Sequence, residues 1–465
     1  MAARYRRTYA RAGSAAIALL LLAGCGSGNG GAGSTAPGSS PSGSSTRAGA
    51  GFDPPTAFAT TGVPLPAGTG AAGSGAAGSA AGGTGAVGSG GSMSPLLPVA
   101  LNGTYAYIAA PRELEIVDTR TGATVGVLTP HGAVQSGAGT ASSTPAPMVV
   151  TVGESTMTLV LVPFMVTVAG RSMVELLAVD TATRHPIWTA QIDGLPAWAA
   201  PGATTVPTVR MIGVQEHTAV LEISAAGVVG EAVALDLTTH QTDWQQDGFD
   251  AGAVGLGTVV GSRAKDLKDI VGAERSIVGL GLDDGKQRWK QSDVKDAATV
   301  RVVPAGPKKA AVLGTNYADG SAFGLLVDIS DGTGTALPDV GETAADCAYD
   351  DTATLVCWGQ DTAGHHLYGV DAASGNPLWQ LGAANTQHTV PTVTAVRHGA
   401  VYGTGSAGSA GSAGSAASAP IVLDARTGLV RAARPGIAPL LLDGSVGIAL
   451  GSGSAGTVEA YRVTG

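Results

Sequence analysis

Seven aspartates recur at one place in a repeated local pattern: Asp118, Asp180, Asp236, Asp283, Asp328, Asp371 and Asp424. A ring of carboxylates could supply general acids and bases or hold a cation. Each aspartate, however, follows apolar residues and opens a short turn, as in Gly369-Val370-Asp371-Ala372-Ala373-Ser374-Gly375. An aspartate there accepts hydrogen bonds from turn amides, and the glycine takes the positive φ that closes the turn. The pattern therefore assigns these residues to turn capping rather than catalysis. The histidines are scattered: His131, His185, His217, His240, His388 and His398 stand apart. His365 and His366 are adjacent, so in a strand they point to opposite faces and cannot share one ion. The chain has no Gly-x-Ser-x-Gly elbow, no His-Glu-x-x-His and no phosphate-binding loop. No metal site and no enzymatic activity are expected.

The three cysteines divide into two kinds. Cys25 ends Leu22-Ala23-Gly24-Cys25, after a basic start (Arg4, Arg6, Arg7, Arg11) and an apolar run too short to span a bilayer. This has the form of a lipobox, in which the thiol receives diacylglycerol. Residues 1–24 then read as a signal peptide, with the mature chain held to a membrane through Cys25, on the extracytoplasmic face of the cell membrane. Cys347 and Cys357 flank a short hairpin centred near Thr352, which sets them opposite one another. An exported protein meets oxidising conditions, so a disulfide between them is expected.

The elements that position these residues are hairpins. Residues 366–382 read as a strand ending at Asp371, a turn, and a second strand through Trp379, each alternating apolar with polar. Successive repeat aspartates lie 43 to 62 residues apart. Tryptophan follows eight residues later at Trp188, Trp244 and Trp379, and six residues after Asp283 at Trp289, in what reads as a shorter turn. These four side chains are expected to pack between neighbouring repeats. A strand-rich repeat of this period predicts an all-β propeller of four-stranded blades. Eight blades fit best and seven next. The last copy, near 438–463, has room for only three strands.

An apolar residue, Asp, a glycine turn and then Trp resemble the repeat of pyrroloquinoline-quinone-like (PQQ-like) β-propellers, over residues 93–465. True quinone dehydrogenases of this kind imply a vicinal disulfide and a calcium site. The chain has no Cys-Cys pair, so no cofactor is expected. In layout (lipobox, tether, propeller) the chain also resembles BamB-type lipoproteins of the outer-membrane barrel-assembly machinery, a resemblance that does not carry over the partner. Fold alone does not fix function. The expected function is a monomeric, membrane-anchored binding or scaffold module for an envelope protein. The alternative is an envelope enzyme, or a small-molecule or glycan binder, working in the central funnel.

Between anchor and repeats, residues 25–92 are nearly all Gly, Ser, Ala, Thr and Pro, the composition of a flexible tether. An island at 52–66 interrupts it and holds Phe52 and Phe58, two of the five phenylalanines. Its stretch 55–61 is a candidate for the strand that the last repeat lacks. Blade 7 carries a Gly-Ser-Ala insertion over 403–419.

The formal charge is −9, or −13 without the four signal-peptide arginines, which argues against nucleic acid. All seven lysines fall between Lys265 and Lys309. Lys265, Lys268, Lys286, Lys290 and Lys295 form a candidate docking patch for anionic lipid or an acidic partner; a solvated blade edge would look the same.

Overall fold

The computed structural model describes residues 53–66, 99–110, 112–135, 146–152, 157–201, 207–225, 228–266, 274–292, 294, 297–337, 346–361, 364–382, 390–406, 418–451 and 457–465. Cys25, Phe52, Lys268, Lys295 and His388 lie outside these residues, as does most of the blade 7 insertion, between Ser406 and Ser418. The described residues form antiparallel sheets with a single 3-10 turn at Ala197–Ala199. None of their helices is long and apolar enough to cross a membrane.

The strands group into four-stranded units in chain order. Unit 1 runs Val99–Asn102, Tyr105–Ala110, Glu113–Asp118, Ala123–Leu128. Unit 2 runs Met148–Val152, Met157–Val168, Arg171–Asp180, Pro186–Ile192, with Ala133–Val134 added beside its second strand. Unit 3 runs Thr208–Gln215, Thr218–Ala225, Val228–Asp236, Gln241–Asp247. Unit 4 (Phe249–Gly255, Thr258–Ala264, Arg275–Gly281, Gln287–Lys290) joins unit 5 (Ala297–Pro304, Lys309–Asn316, Ala322–Asp328, Gly334–Ala336) through the pair Arg275↔Ala297. Unit 6 runs Asp346–Tyr349, Thr354–Asp361, Gly364–Asp371, Pro377–Leu381. Unit 7 runs Thr392–Arg397, Ala400–Ser406, Ser418–Asp424, Val430–Ala432.

Unit 8 takes three strands from the C-terminus, Leu441–Leu442, Val446–Leu450 and Val458–Arg462, and its fourth, Val63–Pro64, from the island. Val63 pairs with Ala460 and Pro64 with Glu459, and Phe58 makes a further bridge to Val463. The regular strand thus lies just beyond 55–61, because residues 55–58 serve a different contact, described below. Phe58 and Leu65 are buried, which accounts for apolar residues in an otherwise polar stretch.

The core is divided among the seams. Apolar clusters join units 1 and 2, 2 and 3, 3 and 4, 4 and 5, 5 and 6, 6 and 7, 7 and 8, and finally 8 and 1. The packing therefore returns to its start. This cyclic order is how a long chain buries apolar surface without a single oversized core. In unit 6, Cys347 and Cys357 are opposed across the first two strands and form a disulfide, as expected. Closing so short a loop contributes about 2–3 kcal/mol.

Candidate functional site

Each repeat aspartate but Asp283 ends the third strand of its unit and is turned onto the turn that follows. The Asp236 carboxylate accepts the amides of Thr238 and Thr239 at 2.6 and 2.8 Å, and Asp424 those of Arg426 and Thr427 at 3.0 and 2.9 Å. Asp371 accepts the amide of Ser374 at 2.9 Å, and the Arg426 side chain of the next unit at 2.6 Å. That arginine, with the turn's hydrogen bonds, pulls the Asp371 carboxyl down to about 2. Asp118, Asp180 and Asp328 likewise accept the amide two residues on. Accepting these bonds and sitting beside Arg426 favours the ionised form, which suits a cap and not a proton donor.

Asp283 is the exception, and its assignment is corrected. Gly281 pairs with Thr258 as Asp236 pairs with Thr218 and Asp371 with Thr354. The Gly285 amide donates to the Gly281 carbonyl just as Gly375 donates to Asp371. Gly281 therefore occupies the aspartate's place, and Asp283, two residues into the turn, pairs with Arg288 at 2.9 Å. The turn is not shorter. Trp289 lies eight residues after Gly281, the same spacing as the other three tryptophans. Four residues after the aspartate position the backbone is left-handed in every unit that has this turn: Gly122, Arg184, His240, Gly285, Gly332, Gly375 and Gly428.

The tryptophans pack across the seams in one manner. Trp244 Nε1 donates to the Leu282 carbonyl at 2.8 Å, Trp289 to Ile329 at 2.9 Å, and Trp379 to Ala425 at 2.8 Å. Each acceptor lies one residue after the aspartate position of the next unit. The indoles rest on that unit's left-handed residue: a Cβ added at Gly285 would lie 2.8 Å from Trp244, and one at Gly428 would lie 2.7 Å from Trp379. Trp188 meets His240 at the equivalent position, the rings stacked 4.5 Å apart.

In units 1 and 7, where the spacing offers Gly126 and Ala432 instead of tryptophan, a tyrosine of the second strand takes over; unit 5 has Ala336 there, and Thr335 and Leu326 lie against Gly375 of the next unit. Tyr107 OH donates to Thr181 at 3.5 Å, and Tyr402 OH donates to Pro55 at 2.9 Å. Unit 8 has no turn of its own between third and fourth strands, and residues 55–58 stand in for it. Phe58 meets the Tyr402 ring edge-on at 6.3 Å. These tyrosines carry no constant offset from the aspartates, so spacing could not find them.

The densest buried charge lies between units 3 and 4. Arg210 pairs with Glu222, and Arg275 with Asp250, whose other oxygen accepts the Gly230 amide at 2.6 Å. Arg210 also donates to the Ala251 carbonyl of unit 4 at 3.2 Å. Burial raises the Glu222 carboxyl despite its arginine. Glu231, on the third strand of unit 3, is buried with Oε2 unpaired, and burial beside Asp247 pushes it up to about 7. The quartet matches charge with charge, and its partners come from four strands of two units. Its chemistry is that of a seam, not of a proton relay. Sequence inspection missed it because its members are spread over 65 residues. Glu175, fully buried, likewise holds a connection, accepting the His131 amide at 2.7 Å and Nδ1 at 2.9 Å. Among the described residues no three His, Cys, Asp or Glu side chains form a metal-binding group.

Of the candidate docking lysines, the described Lys265 and Lys286 lie at opposite ends of unit 4. Lys265 follows the second strand of unit 4 and pairs with Glu274 at 2.6 Å. Lys286 lies in the turn at the other end of that unit and pairs with Asp284 at 2.8 Å. Lys290, exposed, lies level with Val278 on the outer strand. An antiparallel meander puts its alternate turns at opposite ends, which separates residues that are neighbours in sequence.

No family model and no curated protein matches the chain. Among solved structures it is similar to the Dos1 propeller, at 11% identity over 64% of this chain and 73% of that one, with a TM-score of 0.39. It is similar to the β-propeller domain of the trilobed protease from Pyrococcus furiosus, whose topology is described as an open velcro, at 11% identity over 69% and 96%, with a TM-score of 0.37. It is also similar to the dihydro-heme d1 dehydrogenase NirN, at 14% identity over 60% of this chain and 55% of that one, with a TM-score of 0.36. The chain's own sheets and their cyclic packing decide the fold. It is a β-propeller.

Proposed function

We propose that the chain is a lipid-anchored, extracytoplasmic β-propeller of eight PQQ-like blades that binds a protein partner in the cell envelope. One observation carries the binding reading over the enzymatic one. The residue types that recur often enough to build an axial site, aspartate and tryptophan, are spent on turns and seams unit by unit. What is left for function is surface, as in a scaffold. The envelope location draws support from Leu22-Ala23-Gly24-Cys25, from the Gly/Ser-rich composition of 26–51, and from the Cys347–Cys357 disulfide. The protein is taken as a monomer.

The experiment is fractionation and in-membrane crosslinking of the full chain and of Cys25→Ala. The wild type should fractionate with membranes and give a crosslinked protein partner. Cys25→Ala should be released or remain an unprocessed precursor. A processed, membrane-bound Cys25→Ala would overturn the anchor. Recovery of a glycan or small molecule, with no crosslinked protein, would replace the scaffold reading with the funnel-binding one.

A further inference from the structure

The site that closes the ring is built as a recognition groove. Its occupant, residues 53–66, is held by main-chain hydrogen bonds at both ends. The amides of Thr56 and Ala57 donate to the Gly465 carbonyl at 2.8 and 3.0 Å, and that of Phe58 to Pro435 at 2.7 Å. The Ala59 amide donates to Arg462 at 2.9 Å and the Leu65 amide to Val458 at 3.0 Å. In the other direction the Thr464 amide donates to the Ala57 carbonyl at 2.9 Å, and Tyr402 OH donates to Pro55. Two side chains are sunk between units. Phe58 packs with Tyr402, Ile437 and Tyr461 between units 7 and 8, and Leu65 with Ile108 and Val446 between units 8 and 1. Two ring glycines make the room. A Cβ at Gly436 would lie 2.7 Å from the Phe58 carbonyl oxygen, and one at Gly447 would lie 2.7 Å from the Phe58 ring. Within the segment, a Cβ at Gly62 would overlap the Glu459 carboxylate. Asp53, at the start, pairs with Arg431 at 3.6 Å.

A sheet edge binds an extended peptide in this way: the main chain supplies affinity and side-chain pockets supply specificity. The regular ladder to the last strand is only two residues long, Val63 with Ala460 and Pro64 with Glu459. The tryptophan hydrogen bonds that join the other units involve none of these residues. Release of the segment is therefore a local opening of one seam region, separate from unfolding of the ring.

We infer that this groove is an exchangeable peptide-binding site, filled in cis by residues 53–66, and that a partner protein docks by putting an extended segment of the same chemistry in its place. The inference deepens the protein-binding reading and rests on it. The cis occupant shows what the site takes. An acidic residue meets Arg431, and two buried prolines follow it directly. A buried phenylalanine comes next, at Phe58, then the close-packed Gly62 and the buried Leu65. Being part of the same chain, the cis segment competes at an effective concentration on the order of a millimolar. A partner's segment therefore docks when it binds more tightly or is itself held beside the ring.

The test uses full-length protein and a synthetic peptide of residues 53–66 carrying a fluorophore, with binding read by anisotropy. Phe58→Ala in the protein weakens the cis occupant and leaves the groove intact. The peptide should bind the Phe58→Ala chain at least about tenfold more tightly than the wild type, whose own segment competes. Peptides carrying Phe58→Ala or Leu65→Ala should bind that chain at least about tenfold more weakly than the wild-type peptide. Equal affinity for the two chains, no binding to either, or equal binding by all three peptides overturns the site. Should the Phe58→Ala chain fail to fold, wild-type protein is folded first and then cut at a protease site inserted within 67–92. The cut fragment should stay bound on gel filtration and exchange for the labelled peptide; a fragment that leaves without being replaced overturns the site. Wild-type dimers that have swapped segments would assign the groove to a second copy instead of a partner. Peptide exchange with no protein crosslinked in membranes overturns the protein-binding reading, whereas a crosslinked partner with no peptide exchange overturns this site alone.

Discussion

Two regions of this propeller solve one problem in opposite ways. At the seams after units 2, 3, 4 and 6, a tryptophan from within the repeat lies on the next unit's turn, three of the four donating Nε1 to a turn carbonyl 2.8–2.9 Å away. Where the last unit meets units 7 and 1, no repeat residue can do this, because unit 8 lacks both its turn and its outer strand. A segment 34 residues upstream of unit 1 supplies all three parts. Pro55 gives Tyr402 its acceptor, Phe58 fills the seam, and Val63–Pro64 completes the sheet. Pro64 also covers Gly122 of unit 1, where a tryptophan would otherwise sit: a Cβ on Gly122 would lie 2.8 Å from the Pro64 carbonyl. The repeat seams are local and redundant. The closing seam depends on one remote segment, so residues 53–66, upstream of the repeats, are also a structural part of the ring.

The largest effect should come from removing that segment. Deleting residues 26–66 exposes the apolar surface under Phe58 and Leu65 and leaves the edge of Val458–Arg462 unpaired. At about 1.5–3 kcal/mol for each buried side chain, plus several backbone hydrogen bonds, the loss should reach about 5 kcal/mol or more. It should be read as a fall of several degrees in Tm together with a tendency to aggregate. An unchanged Tm would mean that the ring closes without it.

A repeat seam should be weakened less. Trp379→Ala removes a large side chain from the seam between units 6 and 7 and should cost about 3–5 kcal/mol by denaturant titration. Trp379→Phe should recover part of that and lack the hydrogen bond to Ala425. If Trp379→Ala proved more damaging than the deletion, the contrast between local and remote seams would be inverted.

Glu231 sharpens the comparison through pH. Its folded-state pKa of about 7 lies above the ordinary 4.5, so its contribution to stability is fully present below about 4.5 and is lost as pH rises through 7. Glu231→Gln should therefore gain Tm relative to the wild type between pH 5 and pH 8. A constant difference across that range would mean that the carboxyl is not held protonated by burial.

The smallest effect separates two aspartates that look alike in sequence. Asp236→Ala removes two amide hydrogen bonds and should cost about 1 kcal/mol. Asp283→Ala removes an exposed ion pair and should cost less than about 0.5 kcal/mol.

That last pair shows how far the sequence could be read. The third-strand aspartates, the Cys347–Cys357 pairing and the need for a borrowed strand follow from local pattern, because each depends on residues close in the chain. Asp283 was misplaced because Leu282-Asp283-Asp284-Gly285 imitates the repeat, while strand register puts Gly281 in the aspartate's position. Tyr107, Tyr402 and the Arg210–Glu222–Asp250–Arg275 quartet left no periodic signal. Their roles exist only once separate units are brought together. Lys265 and Lys286 are separated for the converse reason: proximity along the chain is undone when a meander sends alternate turns to opposite ends.

The central claim is that the segment Val63–Pro64, upstream of the repeats, is the outer strand of the last unit. Its most direct test is a crosslink at the observed register, Val63→Cys with Ala460→Cys, in full-length protein taken from membranes and mapped by non-reducing peptide mass analysis. The account predicts an intrachain disulfide between the two introduced positions, absent from a control pair shifted to Val63→Cys with Arg462→Cys. No link at the first pair, or equal linking at both, would contradict it.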